Sequence, residues 1–146
     1  MILYADTSLL VKHYLTEAGS AQVDVVLTPP TVVGTAVITR AEVSAALAKA
    51  IRLGMLTFAD AHQSLIEFRS QWPHLLRLRI NEAVAKRADE LAWDHQLRGY
   101  DAVHLAVALT WQVSLDEPLT LGTYDRQLWE AGQKTNLAVW PAVLSS

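Results

Sequence analysis

Hydrophobic and polar positions repeat along this chain in two periods, one typical of strands and one typical of helices. The run ILYA, which ends at Asp6, predicts a buried strand, and the β-branched run TVVGTAV predicts a second. Three later segments are also strand candidates: HLLRLRI, LTLGTY and NLAVW. Because helical spacing fills the segments between them, we predict an α/β fold with a mainly parallel central sheet flanked by helices.

The helical segments have recognisable ends. SLLVKHYLTE predicts a first helix that AGS at 18–20 interrupts, and a short second helix extends from Ser20 to Leu27. A strong helix extends from about Thr39 to Gly54 and the next from Thr57 to Pro73, so these two predict a helical hairpin. The remaining predicted helices follow Asn81, which is the expected N-cap, and begin at Asp101, after the separating Gly99, and at Asp125.

The segment GYDAVHLAVA, residues 99–108, is typical of a buried helix with one acid at its head. The apolar face follows the i, i+3, i+4, i+7 spacing at Ala102, Leu105, Ala106 and Leu109. Asp101 precedes this stripe, and an N-cap is a sufficient local explanation for it. Whether Asp101 also has a chemical role depends on which other acids lie near it.

Composition narrows the possible functions. The 146 residues predict one domain, 1–146, and the absence of cysteine excludes disulfides, thiolate nucleophiles and cysteine-based zinc sites. The N-terminus lacks the pattern of a signal peptide, and no stretch is long enough to cross a bilayer, so we expect a soluble cytoplasmic protein with no membrane partner. The net charge of −3 argues against a broad basic face, although a bound divalent metal would supply positive charge locally.

Four acids stand where predicted strands end or predicted helices begin. Asp6, Asp101 and Asp125 can each be explained as a helix cap or turn residue, and Glu42 with Thr39 matches the capping box TRAE. If the helix instead starts nearer Val37, Thr39 lies inside it and Glu42 is free to project from the first turns. In a parallel α/β sheet these positions lie at one edge. Carboxylates that converge there would repel one another, and at least one pKa would rise unless a cation is present. Mg²⁺ or Mn²⁺ with oxygen ligands would relieve this repulsion.

The chain resembles PIN-domain proteins and, among them, the VapC family of toxin ribonucleases. Four segments carry the resemblance in the family's order: ADTSLLVKHYL at 5–15, TRAEVSAALAKA at 39–50, YDAVHLAVAL at 100–109 and LTLGTYDRQL at 119–128. The resemblance implies a PIN-like fold over essentially the whole chain. It also implies an acidic metal site made by Asp6, Glu42, Asp101 and Asp125, with Ser8 and Thr123 lining it.

The resemblance also implies a reaction. In that family it is metal-dependent hydrolysis of RNA phosphodiester bonds, which leaves a 5′-phosphate and a 3′-hydroxyl, and Mn²⁺ is expected to replace Mg²⁺. Asp6 and Asp101 would be the principal ligands, Asp125 would hold the metal or its waters, and Glu42 would ligate a second ion or orient the attacking water. The implied partners are an RNA substrate, a VapB-like antitoxin and a second copy of the chain, with the hairpin helices contributing to the homodimer and to the antitoxin groove.

Residues beside the acids have two interpretations each. His104 lies three residues after Asp101 on one helical face, and we expect a structural histidine near the site rather than a substrate contact. Arg40, Arg98 and Arg126 lie close to candidate acids in sequence, so they either contact RNA phosphates or form ion pairs with those acids.

Two function classes remain. One is the ribonuclease, and the other is a catalytically inactive PIN-fold module that binds RNA or protein. The presence of all four acids favours the enzyme. Dehalogenase-type phosphotransferases require an Asp two residues after the first, where this chain has Ser8, and neither a P-loop nor a dinucleotide-binding glycine motif occurs.

Overall fold

In the computed structural model, which describes residues 1–15 and 19–145, five strands form one parallel sheet. The strands are β1 (Ile2–Ala5), β2 (Val32–Ala36), β3 (Leu76–Leu78), β4 (Leu119–Gly122) and β5 (Ala138–Trp140). Their order is β3-β2-β1-β4-β5, with β1 in the centre, and each neighbouring pair is parallel. The predicted parallel sheet is therefore confirmed.

Helices connect the strands and lie on both faces of the sheet. They are α1 (Thr7–Tyr14), α2 (Ser20–Leu27), α3 (Thr39–Arg52), α4 (Phe58–Gln71), α5 (Glu82–His95), α6 (Gly99–Val113) and α7 (Arg126–Lys134). Helices α3 and α4 pack on each other, which confirms the hairpin. The predicted end of the first helix and the start of its interruption fall at 16–18, outside the described residues.

Sequence signals for two helix starts are confirmed. The Asn81 side chain accepts a hydrogen bond of 2.9 Å from the Val84 N–H and caps α5. The Thr57 hydroxyl likewise accepts from the Asp60 N–H at 3.1 Å and caps α4. In both cases a side-chain oxygen satisfies a backbone donor that the first helical turn leaves without a partner.

The hydrophobic core has two layers, one on each face of the sheet. Tyr4 belongs to the layer under α5, α6 and α7, and Ala5 belongs to the layer under α1, α2, α3 and α4. Adjacent residues separate in this way because successive side chains of a strand point to opposite faces. The central strand β1 is therefore buried on both sides and ends at the polar edge of the molecule.

Helix α6 lies directly against the sheet. The Trp111 ring of α6 covers Gly34 of β2, and a Cβ atom built on Gly34 would lie 2.6 Å from two carbons of that ring. No real Cβ makes so short a contact, so glycine is what allows the indole to approach the strand. This packing fixes the position of α6, whose first turn carries Asp101.

Within the described chain, none of the helices combines the length and apolarity that a membrane crossing requires.

Candidate active site

The four predicted acids line one cleft at the carboxyl ends of the strands. Asp6 follows β1 directly, Asp125 lies three residues after β4, and Glu42 and Asp101 lie in the first turns of α3 and α6. All four contribute to a cavity of about 640 Å³, and Ser8 lines it as well. The fold thus brings together acids that are up to 119 residues apart in the chain.

Asp6 is almost completely buried and held by three hydrogen bonds. Its Oδ1 accepts from the Ser8 hydroxyl at 2.7 Å and from the Leu9 N–H at 3.0 Å, and its Oδ2 accepts from the Thr123 hydroxyl at 2.6 Å. Burial raises the pKa of Asp6, and the nearby His104 and the hydrogen bonds offset this effect only in part. Asp6 is therefore both the N-cap of α1 and a carboxylate fixed at the floor of the cleft.

Thr123 was expected to line the site, and it lies beside Asp6. Its side chain is completely buried and supports the cleft from within rather than forming its wall. The Thr123 Oγ1 donates to Asp6 and accepts from the Asp125 N–H at 3.0 Å, while the Ser8 Oγ accepts from the Tyr124 N–H at 2.9 Å. Ser8 and Thr123 thus tie the loop after β4 to the end of β1 and fix the spacing between Asp6 and Asp125.

Asp101 and Asp125 share one cation, the guanidinium of Arg98. The Arg98 Nε donates to the Asp101 Oδ2 at 3.0 Å, and the Nη2 donates to the Asp125 Oδ2 at 2.7 Å. Burial and then repulsion by Asp125 raise the pKa of Asp101, and the contact with Arg98 opposes this increase only in part. The predicted rise of at least one carboxyl pKa is confirmed, although burial rather than repulsion is the largest cause.

The helix-cap explanations hold for some acids and not for others. The Asp125 Oδ1 accepts from the Leu128 N–H at 2.9 Å and caps α7. Asp101 is not a cap, because α6 begins earlier, with Arg98 at the N-cap position and Asp101 as the third helical residue. Asp101 therefore lies at the positive end of the helix dipole without satisfying a terminal N–H in the described structure.

The predicted capping box at Thr39 and Glu42 is wrong. Helix α3 begins one residue earlier than the motif requires, with Ile38 at the N-cap and Thr39 already inside the helix. The buried Thr39 hydroxyl instead shares a hydrogen bond of 2.8 Å with the Thr35 hydroxyl. The Glu42 side chain is consequently released from the backbone and turns towards the cleft.

Glu42 ends a chain of hydrogen bonds that begins in the core. Its Oε1 accepts from the Thr7 hydroxyl at 2.9 Å and contacts the His104 Nε2 at 2.7 Å. The other ring nitrogen of His104, Nδ1, shares a hydrogen bond of 2.6 Å with the hydroxyl of Tyr4. His104 is 2% exposed, and Tyr4 is fully buried. The expectation that His104 is a hydrogen-bonded structural residue is consistent with this geometry.

The contact between Glu42 and His104 shifts the pKa of each residue in the direction that favours its charged form. Burial alone would raise the pKa of Glu42, but the hydrogen bond and the charge of His104 outweigh burial and lower it. Burial alone would lower the pKa of His104, but the bond to Glu42 and the negative charges of Asp6, Glu42 and Asp101 outweigh burial and raise it. A buried imidazole is thus stabilised in its protonated form by the acids of the cleft.

Of the three arginines singled out by sequence, only Arg98 lines the cleft. The Arg126 Nη2 donates to the Leu144 carbonyl at 2.8 Å, and the Arg40 guanidinium lies 6.0 Å from the Trp72 ring centre. Sequence reasoning missed Lys49, which lines the cleft with Lys12. Lys49 is seven residues after Glu42, two helical turns along the same face, so helical spacing carried a signal for it.

Comparison with known proteins places the chain in a family. The family model of the PIN domain matches residues 3–132. Ribonuclease VapC45 of Mycobacterium tuberculosis is 32% identical over 144 residues, which is 98% of this chain and 97% of the relative. Two solved structures share the fold. PAE2754 from Pyrobaculum aerophilum has a TM-score of 0.70 at 24% identity, covering 95% of this chain and 83% of its own. VapBC2 from Rickettsia felis, bound to a DNA fragment from its promoter, has a TM-score of 0.63 at 16% identity, covering 95% of this chain and 97% of its own.

The family match covers most of the chain, and the identity to the VapC relative extends over nearly the full length of both proteins. The resemblance seen in the four sequence segments is therefore confirmed. The chain belongs to the PIN-domain family and, within it, to the VapC ribonucleases.

Proposed function

We propose that this chain is a metal-dependent endoribonuclease and the toxin of a VapBC-type toxin–antitoxin pair. The observation that carries the proposal is the convergence of four carboxylates in one cleft of a VapC-family chain. The chain has no cysteine, and the hydroxyl of the cleft serine, Ser8, is engaged by Asp6 and the Tyr124 N–H, so the set of acids suits hydrolysis by an activated water.

The donor set fits a divalent metal with a preference for oxygen ligands. A carboxylate offers about four acceptor sites, and Asp6 uses three of them for hydrogen bonds, so capacity for a cation remains. Asp101 and Asp125 already attract a cation in the form of Arg98. We assign Mg²⁺ as the natural metal, with Mn²⁺ as its substitute, and Asp6, Asp101 and Asp125 as the residues that would hold it or its waters.

The metal would stabilise the charge that develops on the phosphate and would lower the pKa of a bound water. The chain's own residues supply the remaining functions. Glu42, held by Thr7 and His104, is positioned to orient the attacking water or to hold a second ion. Lys12 and Lys49 on the cleft wall carry the positive charge that a phosphodiester backbone requires. Attack by water at phosphorus with departure of the 3′-oxygen leaves a 5′-phosphate and a 3′-hydroxyl.

The proposed partners are RNA, a VapB-like antitoxin and a second copy of the chain. The turn between α3 and α4 exposes three large apolar side chains, Leu53, Met55 and Phe58, each more than half exposed. Clusters of this kind usually mark surfaces that another protein covers. Light scattering of the purified chain would test the homodimer, and co-purification with the product of an adjacent small gene would test the antitoxin.

The test of the metal site is a set of three single substitutions: Asp6→Asn, Asp101→Asn and, as the matched control, Asp89→Asn. Asp89 is an exposed acid of α5 outside the cleft. At a hundredfold excess of Mn²⁺ over its Kd, binding stabilises the fold by about 2.7 kcal/mol, which raises Tm by about 5–11 °C in a domain of this size.

We expect the wild type and Asp89→Asn to show this increase in Tm and to cleave RNA. Asp6→Asn and Asp101→Asn should fold but lose both properties. Equal Tm increases in all four proteins would contradict the site. Metal binding without cleavage of any RNA would instead favour the inactive binding module.

A further inference from the structure

Arg98 holds two acids of the cleft, Asp101 and Asp125, which come from different elements of the fold. Its Nε and Nη2 donate to the Oδ2 atoms of Asp101, in α6, and of Asp125, in the loop after β4, at 3.0 and 2.7 Å. These are charge-assisted hydrogen bonds, the stronger class of such contacts. The guanidinium thus joins two carboxylates that would otherwise repel each other.

The two acids that Arg98 engages are among those that we assigned to the metal. Across residues 1–15 and 19–145, no three acidic or histidine side chains are arranged to hold a metal ion in this conformation. The guanidinium engages one oxygen each of Asp101 and Asp125, and the forked Arg donors fix the orientation of both. A divalent ion held by Asp101 and Asp125 would therefore have to compete with Arg98 for these carboxylates.

Arg98 can leave the acids without disturbing the core. Its side chain is 71% exposed, and the Asp101 and Asp125 side chains are 12% and 23% exposed. Rotation into solvent would therefore break the two ion pairs without displacing a side chain of the core. Arginine stays protonated at any physiological pH, so the competition does not depend on its titration.

We propose that Arg98 is a built-in competitor of the metal ion, which occupies Asp101 and Asp125 in the metal-free protein and lowers their affinity for a divalent cation. This inference rests on the proposed function in one respect, the assignment of the metal to these acids. Arg98 then sets the metal concentration at which the cleft becomes active. Exposed ion pairs each shift an equilibrium by about two- to fivefold, so removing both should tighten metal binding by about four- to twenty-five-fold.

The experiment compares Arg98→Met with Arg126→Met in the full chain. Methionine retains an unbranched apolar stem and removes the charge and the donors. Arg126 is the matched control, because it lies next to Asp125 in sequence but bonds the Leu144 carbonyl and contacts Glu130 instead. Mn²⁺ is titrated calorimetrically at fixed pH and ionic strength, and Tm is measured in EDTA and in saturating Mn²⁺.

We expect Arg98→Met to bind Mn²⁺ about four- to twenty-five-fold more tightly than the wild type, and Arg126→Met to bind with unchanged affinity. Arg98→Met should also melt at a lower temperature than the wild type in EDTA, since its two acids lack a counter-ion, and this difference should shrink in Mn²⁺. A purely structural role would lower Tm in both conditions. Arg98→Lys, with one compact ammonium, should give an intermediate affinity and serves as the second variant if Arg98→Met does not fold.

The proposal is overturned if Arg98→Met binds Mn²⁺ with the wild-type affinity or more weakly, or if Arg126→Met tightens binding equally. In those cases the proposed metal site stands, because the wild type still binds. Absence of Mn²⁺ binding in the wild type and in every variant would instead overturn the metal site and the competitor together. If Mn²⁺ binds to Arg98→Met and not to the wild type, the result would support the proposal that Arg98 competes with the metal ion.

Discussion

The hydrogen bond between Tyr4 and His104 allows a specific prediction about stability. Tyr4→Phe removes one oxygen from the core and keeps the ring, so the packing of β1 against α6 changes little. The His104 Nδ1, 2.6 Å from that oxygen, then has no partner in the described structure. Both side chains are shielded from solvent, with exposures of 0% and 2%, so bulk water cannot replace the lost hydroxyl.

The expected magnitude follows from this burial. A buried polar atom that loses its hydrogen-bond partner costs about 1–3 kcal/mol. In a domain of this size each kcal/mol changes Tm by about 2–4 °C, so Tyr4→Phe should melt about 2–12 °C below the wild type. The loss also frees the imidazole that holds Glu42, so cleavage of RNA should fall with stability even at temperatures where the variant is folded.

Thermal melting in EDTA, followed by circular dichroism, measures this effect. Tyr100→Phe is the matched control, because it removes the same hydroxyl from a side chain that is 61% exposed. We expect that control to melt with the wild type. If Tyr4→Phe and Tyr100→Phe melt at the same temperature, the bond from Tyr4 does not stabilise His104, and the reasoning that connects the core to Glu42 fails.

Two further predictions concern pH and packing. Because the pKa of His104 is raised in the folded chain, the stability it contributes is complete below its ordinary value of 6.5 and is lost as pH rises through the raised value. The raised pKa of Asp101 acts in the same direction above 3.8, so Tm in EDTA should fall as pH rises above 6.5, and a constant or rising Tm there would contradict the assignment of His104. Gly34→Ala forces a methyl group against Trp111 and should cost about 1–3 kcal/mol in urea unfolding. Gly99→Ala, with open space at its Cβ and a helical position, should be neutral or stabilising by up to about 1 kcal/mol, and equal effects at the two glycines would refute the packing argument.

Strong periodicity made most helices and strands predictable from sequence. How far each strand extends depends on its pairing with the neighbouring strand. Helix α2 has the predicted bounds, Asn81 caps the helix it was expected to cap, and the helix expected to begin at Thr57 has Thr57 as its N-cap. Strand β3 is shorter than predicted, with Leu76–Leu78 in place of 74–80, because it is an edge strand whose ladder is limited by its partner β2. Alternation of apolar residues indicates that a segment is extended, but the neighbouring strand decides how much of it pairs.

The acids of the candidate site were predictable from sequence, but the residues that hold Glu42 in place were not. Acids at strand ends share an edge in any parallel sheet, so Asp6 and Asp125 could be grouped from sequence. The position of Glu42 depends on His104, which is 62 residues away in sequence, and on Tyr4, which is 100 residues from His104. Contacts of this range are fixed by how α6 packs on β1, and no local pattern encodes them.

For an acid at a helix start, capping and metal binding are not alternatives, because a carboxylate has two oxygens. In Asp125 one oxygen caps α7 and the other faces Arg98. In Asp6 one oxygen caps α1, and the other bonds Thr123, which also receives the Asp125 N–H. Each cap fixes the rotation of its carboxylate, and the cap therefore orients the second oxygen. Asp101 lacks that constraint and depends on the rigidity of α6 and on its contact with Arg98. Asp101 is thus the acid of the cleft whose orientation is most sensitive to the cation beside it, which is why the exchange of Arg98 for a metal would act first on this residue.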